Sequence, residues 1–269
     1  MNAANPQVIH RVMHEIKRRK LEVLRVVDLT PRMRRITVGG PQLAGFVSLG
    51  SDDHVKLFFP QTAEEQTALE TLELGAGQKG NMPPMRDYTP RRIDLDTLEL
   101  DIDFVLHGDG PAATWAAQAT PGQYLHIGGP RGSMVVPDIF DSYLLIGDET
   151  ALPAIARRLE ELPAAAQAFV LIEVPSAANQ IPLASAAQAS VRWLHRDGTA
   201  PGYSTLLLEA ARELTLPPGE GYVWVAAESA VAKAVREIMV SQHGTDKARI
   251  RAASYWKRGA VAVHESHED

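Results

Sequence analysis

The stretch Arg86-Asp87-Tyr88-Thr89-Pro90-Arg91 gathers two arginines, a tyrosine and a threonine into six residues. A guanidinium fork matches the oxygens of a phosphate, and a tyrosine offers a flat apolar face with a polar tip. In an extended segment alternate side chains share a face, so Arg86 and Tyr88 point one way and Asp87 and Thr89 the other. A plain surface turn accounts for the same residues. Two more stretches have the form of a chain entering a helix, where free amides attract anions. In "LLIGDETALPA", Gly147 permits a tight turn and Thr150 either caps the helix or bonds a phosphate oxygen, while Asp148 and Glu149 set two carboxylates beside it. In "HGDGPAATW", glycines lead into a helix with Thr114 in its first turn; capping and a pyrophosphate site both fit. The strand "DDHVKLFFP" sets His54, Lys56 and Phe58 on one face and Val55, Leu57 and Phe59 on the other. Near the end, "YWKRG" joins Tyr255 and Trp256 to Lys257 and Arg258.

Other chemistries lack their residues. The chain has no cysteine, which excludes disulfides, thiolate metal sites, iron–sulfur clusters and a cysteine nucleophile. The glycine-rich dinucleotide fingerprint and the P-loop are missing, as is the G-x-S-x-G nucleophile elbow. His10 and His14 would share a face if helical, but no carboxylate motif makes them a zinc site. His264 and His267 read as a frayed tail. A formal net charge of -6 gives no reason to expect nucleic acid. No run is long and apolar enough to span a bilayer, and the basic N-terminal stretch is not followed by an apolar signal core. The expectation is a cytoplasmic protein with neither nucleic-acid nor membrane partner.

The elements that must position these residues fall into two halves. "KLEVLRVVDLT", "RMRRITVGG", "HVKLFFP", "LELDIDFVLHG" and "QYLHIGGPR" are short, alternating or β-branched, and divided by Pro/Gly turns. "GPAATWAAQATPG" is a lone helix among them, with Pro111 suited to its first turn. "PQTAEEQTALETLELGAGQKGNMPPM" reads as a loop excursion with a helical turn. From about Asp141 strands alternate with helices, which implies a parallel sheet. The expected fold is an N-terminal antiparallel β-barrel over 18–138 followed by a parallel α/β domain over 141–259.

Seven stretches in order, "DDHVKLFFP", "RDYTPR", "DFVLHGDGPAATWA", "PGQYLHIGGPRGS", "GDETALPA", "WLHRDG" and "SYWKRG", resemble the siderophore-interacting proteins, which are flavin-dependent ferric-siderophore reductases related to the ferredoxin reductases. The resemblance runs from about Val23 to Gly259. It implies an FAD-binding barrel and a nicotinamide-nucleotide-binding α/β domain. By it, Arg86 meets the FAD phosphates, Tyr88 packs on the isoalloxazine, and Thr89 with the backbone beside it, Asp87 included, holds the ribityl–phosphate part. Asp103, Val105 and His107 would line the cofactor, and Ala113 and Thr114 would present the small helix to the pyrophosphate. Gly147, Asp148, Glu149 and Thr150 would form the nicotinamide-nucleotide turn, with Tyr255 and Trp256 also at the cofactors. Lys56, Lys257 and Arg258 would receive an anionic ferric siderophore. No catalytic side chain and no protein metal ligand is implied, since the flavin carries the redox chemistry.

The family includes members fed by NAD(P)H and members fed by ferredoxin. This chain stops soon after Gly259, without the longer helical tail that would cover a nicotinamide site, and the expectation is NADPH (or NADH). Glu173 suits a free ribose, whereas Arg196 suits a 2′-phosphate; the resemblance favours NADPH. A general NAD(P)H:flavin reductase and a siderophore carrier without turnover are the other readings.

Overall fold

The computed structural model describes residues 8–71 and 82–260, and the backbone of 265–267. Two compact units follow one another, dividing between Val136 and Pro137.

The first unit contains β1 (His10–Met13), β2 (Arg18–Thr30), β3 (Met33–Gly39), β4 (Val55–Phe58), α1 (Ala63–Thr71), β5 (Met85–Tyr88), β6 (Arg92–Asp94), β7 (Glu99–Val105), α2 (Pro111–Gln118), β8 (Tyr124–Gly128) and β9 (Gly132–Val135). Seven of the strands form one antiparallel sheet in the order β5-β4-β8-β2-β3-β7-β6. Alternation in the sequence decides what lies inside. Leu21 and Val23 of β2, Val55 and Leu57 of β4, Ile102 and Phe104 of β7, and Leu125 and Ile127 of β8 form the core. The edge strand β5 is not bonded to the far edge. The Tyr88 ring instead packs on Phe104 of β7, with centroids 4.4 Å apart. The sheet therefore curls into a barrel completed by side chains, not by a closed ladder of hydrogen bonds. Helix α2 plugs it: Trp115 lies 5.7 Å from Phe104 and 5.8 Å from Phe59.

Strands β1 and β9 pair separately, and neither is evident from the sequence pattern. His10 thus stands on a strand and not on a helix. His14, just beyond it, lies 2.7 Å from the Ser133 hydroxyl, which donates to buried Asp53 at 2.5 Å. Burial raises the Asp53 pKa. Within the expected loop excursion Ala63–Thr71 form α1, longer than a single helical turn, and 72–81 lie outside the described residues.

The second unit contains β10 (Ser142–Asp148), α3 (Leu152–Glu161), β11 (Gln167–Val174), β12 (Gln188–His195), α4 (Leu206–Glu213), β13 (Gly221–Glu228), α5 (Ser229–Ser241), β14 (Ile250–Trp256) and β15 (Glu265–His267). The sheet order is β12-β11-β10-β13-β14-β15. All ladders are parallel except that of β15 on β14. Winding runs outward from β10 in both directions, which makes the β10/β13 boundary the topological switch point, where ligands settle beyond the strand ends. His267 belongs to β15, its backbone opposite Ala252, instead of a frayed tail; His264 lies outside the described residues. No helix among the described residues is long and apolar enough to cross a membrane.

Candidate functional site

In the first unit the register of β4 against β5 decides which way each candidate faces. Val55 stands opposite Tyr88, Lys56 opposite Asp87, and Leu57 opposite Arg86. Directly opposed residues share a face, and Val55 and Leu57 are core residues. Arg86 and Tyr88 therefore lie on the barrel's inner side, as the alternation predicts. Lys56 and Asp87 lie on the outer side, joined by a 2.9 Å ion pair. Thr89, just past β5, is buried.

Arg86 is half-buried, and its one hydrogen bond among the described residues runs from Nη1 to the neighbouring Met85 carbonyl, 2.7 Å. Among the described residues no carboxylate forms an ion pair with it. Burial holds the Tyr88 phenol above the ordinary tyrosine range. Across the aromatic contacts of Tyr88, Phe104 and Trp115 lies α2, whose N-cap Gly110 supplies no side-chain acceptor. Pro111 has no N–H, and the first helical bond runs from Thr114 N to Gly110 O, 2.9 Å. The amides of Ala112 and Ala113 are left without an intrahelical acceptor. Ala113 is buried and Thr114 exposed.

Three further residues expected at the cofactor lie on β7 or in the turn after it. Asp103 is enclosed and bound by both oxygens to Arg35, at 2.7 and 2.8 Å. It also lies on the opposite side of β7 from Phe104. Val105 is half-buried on that same side, and His107 is exposed in the turn before α2. Arg35 does not stand out in the sequence; its signal is the cross-strand register that pairs it with Asp103.

In the second unit the candidate turn closes on itself. Asp148, at the end of β10, is buried. Its Oδ1 accepts from the Thr150 amide at 2.9 Å and from the Thr150 hydroxyl at 2.5 Å. Its Oδ2 accepts from the Trp256 indole N–H at 2.8 Å, and its carbonyl accepts from Ala151 N at 3.0 Å. Thr150 is thus neither the helix cap, which is Ala151, nor an idle hydroxyl. Gly147 is needed for space and not for a special dihedral. A Cβ there would stand 2.6 Å from the Ala226 carbonyl oxygen and against the Ala151 methyl. Burial, with Glu149 beside it, pushes the Asp148 pKa up to about 6.

Glu149 holds Arg196 by two bonds of 2.6 and 2.7 Å, and Glu173 approaches the same guanidinium at 3.4 Å. Arg196 Nε is buried with no hydrogen-bond partner among the described residues. At the end of β13, Glu228 caps α5 by accepting from the amides of Ala230 and Val231. Its other oxygen accepts from Arg258 N at 3.2 Å, with Arg258 Nε at 3.5 Å. The Arg258 guanidinium lies over the exposed Tyr203 ring, 4.4 Å from its centroid. Gly202 keeps this corner close-packed: a Cβ there would meet Trp256, Glu228 and Arg258 within 3.1 Å. Tyr255 meets Trp224 edge-on at 6.0 Å, and Lys257 is exposed. Glu228 and Tyr203 do not stand out in the sequence. The legible signal for Glu228 is an acid ending one strand next to another, Asp148, that does the same. No cluster of three or more metal-binding side chains occurs among the described residues.

Known proteins share the sequence pattern and the fold. Residues 22–134 match the siderophore-interacting FAD-binding domain, and 140–259 match the siderophore-interacting protein family. The NADPH-dependent ferric-chelate reductase of Escherichia coli is 38% identical over 93% of this chain and 97% of its own length. The ferric vibriobactin reductase ViuB of Vibrio cholerae is 32% identical over 92% of this chain and 93% of its own. The crystal structure of a siderophore utilization protein from T. fusca superposes with a TM-score of 0.86 at 38% identity, covering 94% of this chain and 98% of that one. With both units matched and the relatives covered almost end to end, this chain belongs to the siderophore-interacting protein family.

Proposed function

We propose that this chain is an FAD-dependent reductase of ferric siderophores, driven by a nicotinamide dinucleotide and working in the cytoplasm. The observation that carries the flavin site is Arg86: a half-buried guanidinium on the inner barrel face whose only described hydrogen bond is to the neighbouring backbone. Tyr88 beside it and the α2 amides of Ala112 and Ala113 fit the same ligand, an aromatic ring system joined to a pyrophosphate. Thr89 and the Asp87 backbone would hold the stretch between. Asp103, committed to Arg35, would act by fixing β3 against β7, with Val105 and His107 continuing toward α2.

Bound FAD would supply the redox chemistry, taking hydride from the dinucleotide and passing single electrons to Fe(III). The ferric chelate is substrate, so the protein needs no metal ligands of its own. Siderophores hold Fe(III) through hard oxygen donors, and the larger, less charged Fe(II) is held far less tightly, so reduction releases it. Each hydride carries two electrons and reduces two ferric ions, leaving the oxidised dinucleotide and a proton. The names of the E. coli and V. cholerae relatives support this reading, and the former's supports NADPH as a donor. Gly147, Asp148, Glu149 and Thr150 would shape the dinucleotide turn by packing and internal hydrogen bonding, with Tyr255 and Trp256 closing it from β14. Lys56, Lys257 and Arg258 would attract the anionic chelate.

Anaerobic stopped-flow tests the proposal. Purified protein should carry flavin absorbance that NADPH or NADH bleaches and that a ferric siderophore restores with saturable kinetics. Bleached flavin that ferric chelates fail to reoxidise would overturn it. Flavin lost on a desalting column would favour the general flavin reductase. Colourless protein that still binds ferric siderophore would favour the carrier, and bleaching only by reduced ferredoxin would replace the donor.

A further inference from the structure

In a doubly wound sheet the end of the second strand meets the adenosine ribose. A carboxylate there suits free hydroxyls, and an available arginine suits a 2′-phosphate. The second strand here is β11, and Glu173 stands one residue before its end. The arginine within reach is Arg196, directly after β12. It is already engaged: Glu149 grips it with both oxygens, Glu173 approaches it from β11, and its side chain is 2% exposed. Glu173 is 5% exposed and Glu149 14%, so the part of this cluster that faces outward is a carboxylate. Asp148, the ladder partner of Glu173, adds a third carboxyl beside them.

A 2′-phosphate carries up to two negative charges and strong acceptor oxygens. To be recognised here it must either approach Glu149 with the local cation already neutralised, or draw Arg196 away. The second course leaves Glu149 and Glu173 without their partner in a poorly solvated place, which is costly. A ribose with free hydroxyls asks for neither. Resting on the reading of a nicotinamide dinucleotide as donor, we infer that the Glu149–Arg196–Glu173 cluster denies the 2′-phosphate a cation, so that this chain uses NADH at least as efficiently as NADPH, and that Glu149 sets this selectivity.

The test is anaerobic reduction of the FAD-loaded chain by each donor over a range of concentrations, with 5′-AMP and 2′,5′-ADP as competitors. The expected rate constant divided by Kd for NADH equals or exceeds that for NADPH, and 2′,5′-ADP competes no better than 5′-AMP. Glu149→Gln removes one carboxylate and loosens Arg196. It should raise the NADPH-to-NADH ratio by about tenfold, the scale of one nearby charge in partly screened surroundings, and less at high salt. Glu173→Gln, which keeps a hydrogen-bonding side chain at that position, should move the ratio the same way and serves if the first variant fails to fold. A wild-type preference for NADPH, or a ratio unmoved in both variants, overturns the inference and leaves the donor reading intact. If neither dinucleotide bleaches the flavin while dithionite-reduced protein still reduces the chelate, the donor reading falls and the inference with it.

Discussion

Each unit leads the chain into a helix beside a candidate site, and the two junctions treat their polar groups in opposite ways. Before α2, among the described residues, no side chain caps the helix, the amides of Ala112 and Ala113 keep no intrahelical acceptor, and Arg86 across the ring cluster bonds only to the neighbouring backbone carbonyl. Before α3 the groups are consumed. Asp148 takes the amides of Thr150 and Ala151 and the Trp256 indole, while Glu149 and Glu173 take Arg196. The first junction leaves positive charge and donors for an anionic ligand. The second is largely paired within itself, Arg196 Nε excepted, and carboxylate-rich, so a ribose there would be selected by its neutral hydroxyls more than by charge. If the proposed sites are right, the same strand-to-helix device would serve a phosphate-seeking site in one unit and, at the Glu149–Arg196–Glu173 cluster, one that disfavours a 2′-phosphate in the other.

If the first half of this comparison holds, Arg86→Ala gives the largest effect. A pyrophosphate would lose a charge-assisted partner worth roughly 1.5–3 kcal/mol, a loss of about tenfold or more in FAD affinity. The purified variant should show a depressed ratio of flavin to protein absorbance and a weakened Kd on titration with FAD. Full occupancy with unchanged affinity would remove Arg86 from the site.

The second half is tested by crowding the other junction. Gly147→Ala forces a methyl against the Ala226 carbonyl and the Ala151 side chain. Overpacking of this kind costs typically about 1–3 kcal/mol. Thermal unfolding should begin earlier, while flavin affinity at low temperature stays near the wild-type value. A variant as stable as its parent would mean that β10 and α3 can separate at this point, and that the turn is looser than its hydrogen bonds indicate.

Much of this architecture is legible in the order of residues alone. The alternation in "KLEVLRVV" and "LELDIDFV" gives the inner and outer faces of the barrel, and strand–helix alternation after Asp141 gives the parallel sheet. Arg86 and Tyr88 sharing a face follows from period-two geometry. What pattern cannot give is who engages whom. Arg196 beside Glu149 is a contact across 47 residues, and the Trp256 bond to Asp148 spans 108. Both depend on a sheet order, β12-β11-β10-β13-β14, that brings strands distant in sequence to one edge. Gly147 shows a related failure: its type signals a turn, whereas its reason is a neighbouring backbone that only the packed sheet reveals. Strands β1 and β9 go unnoticed because so few residues give too short an alternation to register.

A smaller, pH-graded effect separates the junctions further. The Asp148 carboxyl holds its proton more tightly folded than unfolded, its pKa raised to about 6 by burial and by Glu149. It therefore contributes stability at low pH that is lost as pH rises from the ordinary aspartate range through about 6. Burial raises Asp53 and Glu173 too, with the same sign, so the measurement is a difference. Denaturant unfolding of wild type and Asp148→Asn between pH 4 and 7 should show the variant less stable throughout, having lost the Trp256 acceptor. Its deficit should narrow as pH rises, because only the wild type has a carboxyl to deprotonate there. A deficit constant across that range would mean that Asp148 titrates as an ordinary aspartate.

The least of the expected effects concerns cations that the protein has partly neutralised itself. Lys56 is 53% exposed and pairs with Asp87 on the outer face of β4 and β5, while Arg258 leans on Glu228 and Tyr203. A net-acidic protein repels an anionic chelate at long range, so any local attraction must come from such groups. Exposed pairs are worth little, at most about 1 kcal/mol, and the expected rise in KM for an anionic ferric siderophore is about two- to fivefold in Lys56→Ala or Arg258→Ala. Dinucleotide reduction of the flavin should change little in Lys56→Ala. The ion pair supplies a sharper control, because Asp87→Asn strips the neutralising carboxylate and should lower the same KM if Lys56 meets the chelate. Both shifts should fade with added salt, over a screening length of about 8–10 Å. If Lys56→Ala and Asp87→Asn move KM in the same direction, the pair acts by holding β4 to β5 and the chelate is steered by other groups, with Lys257 the next to substitute.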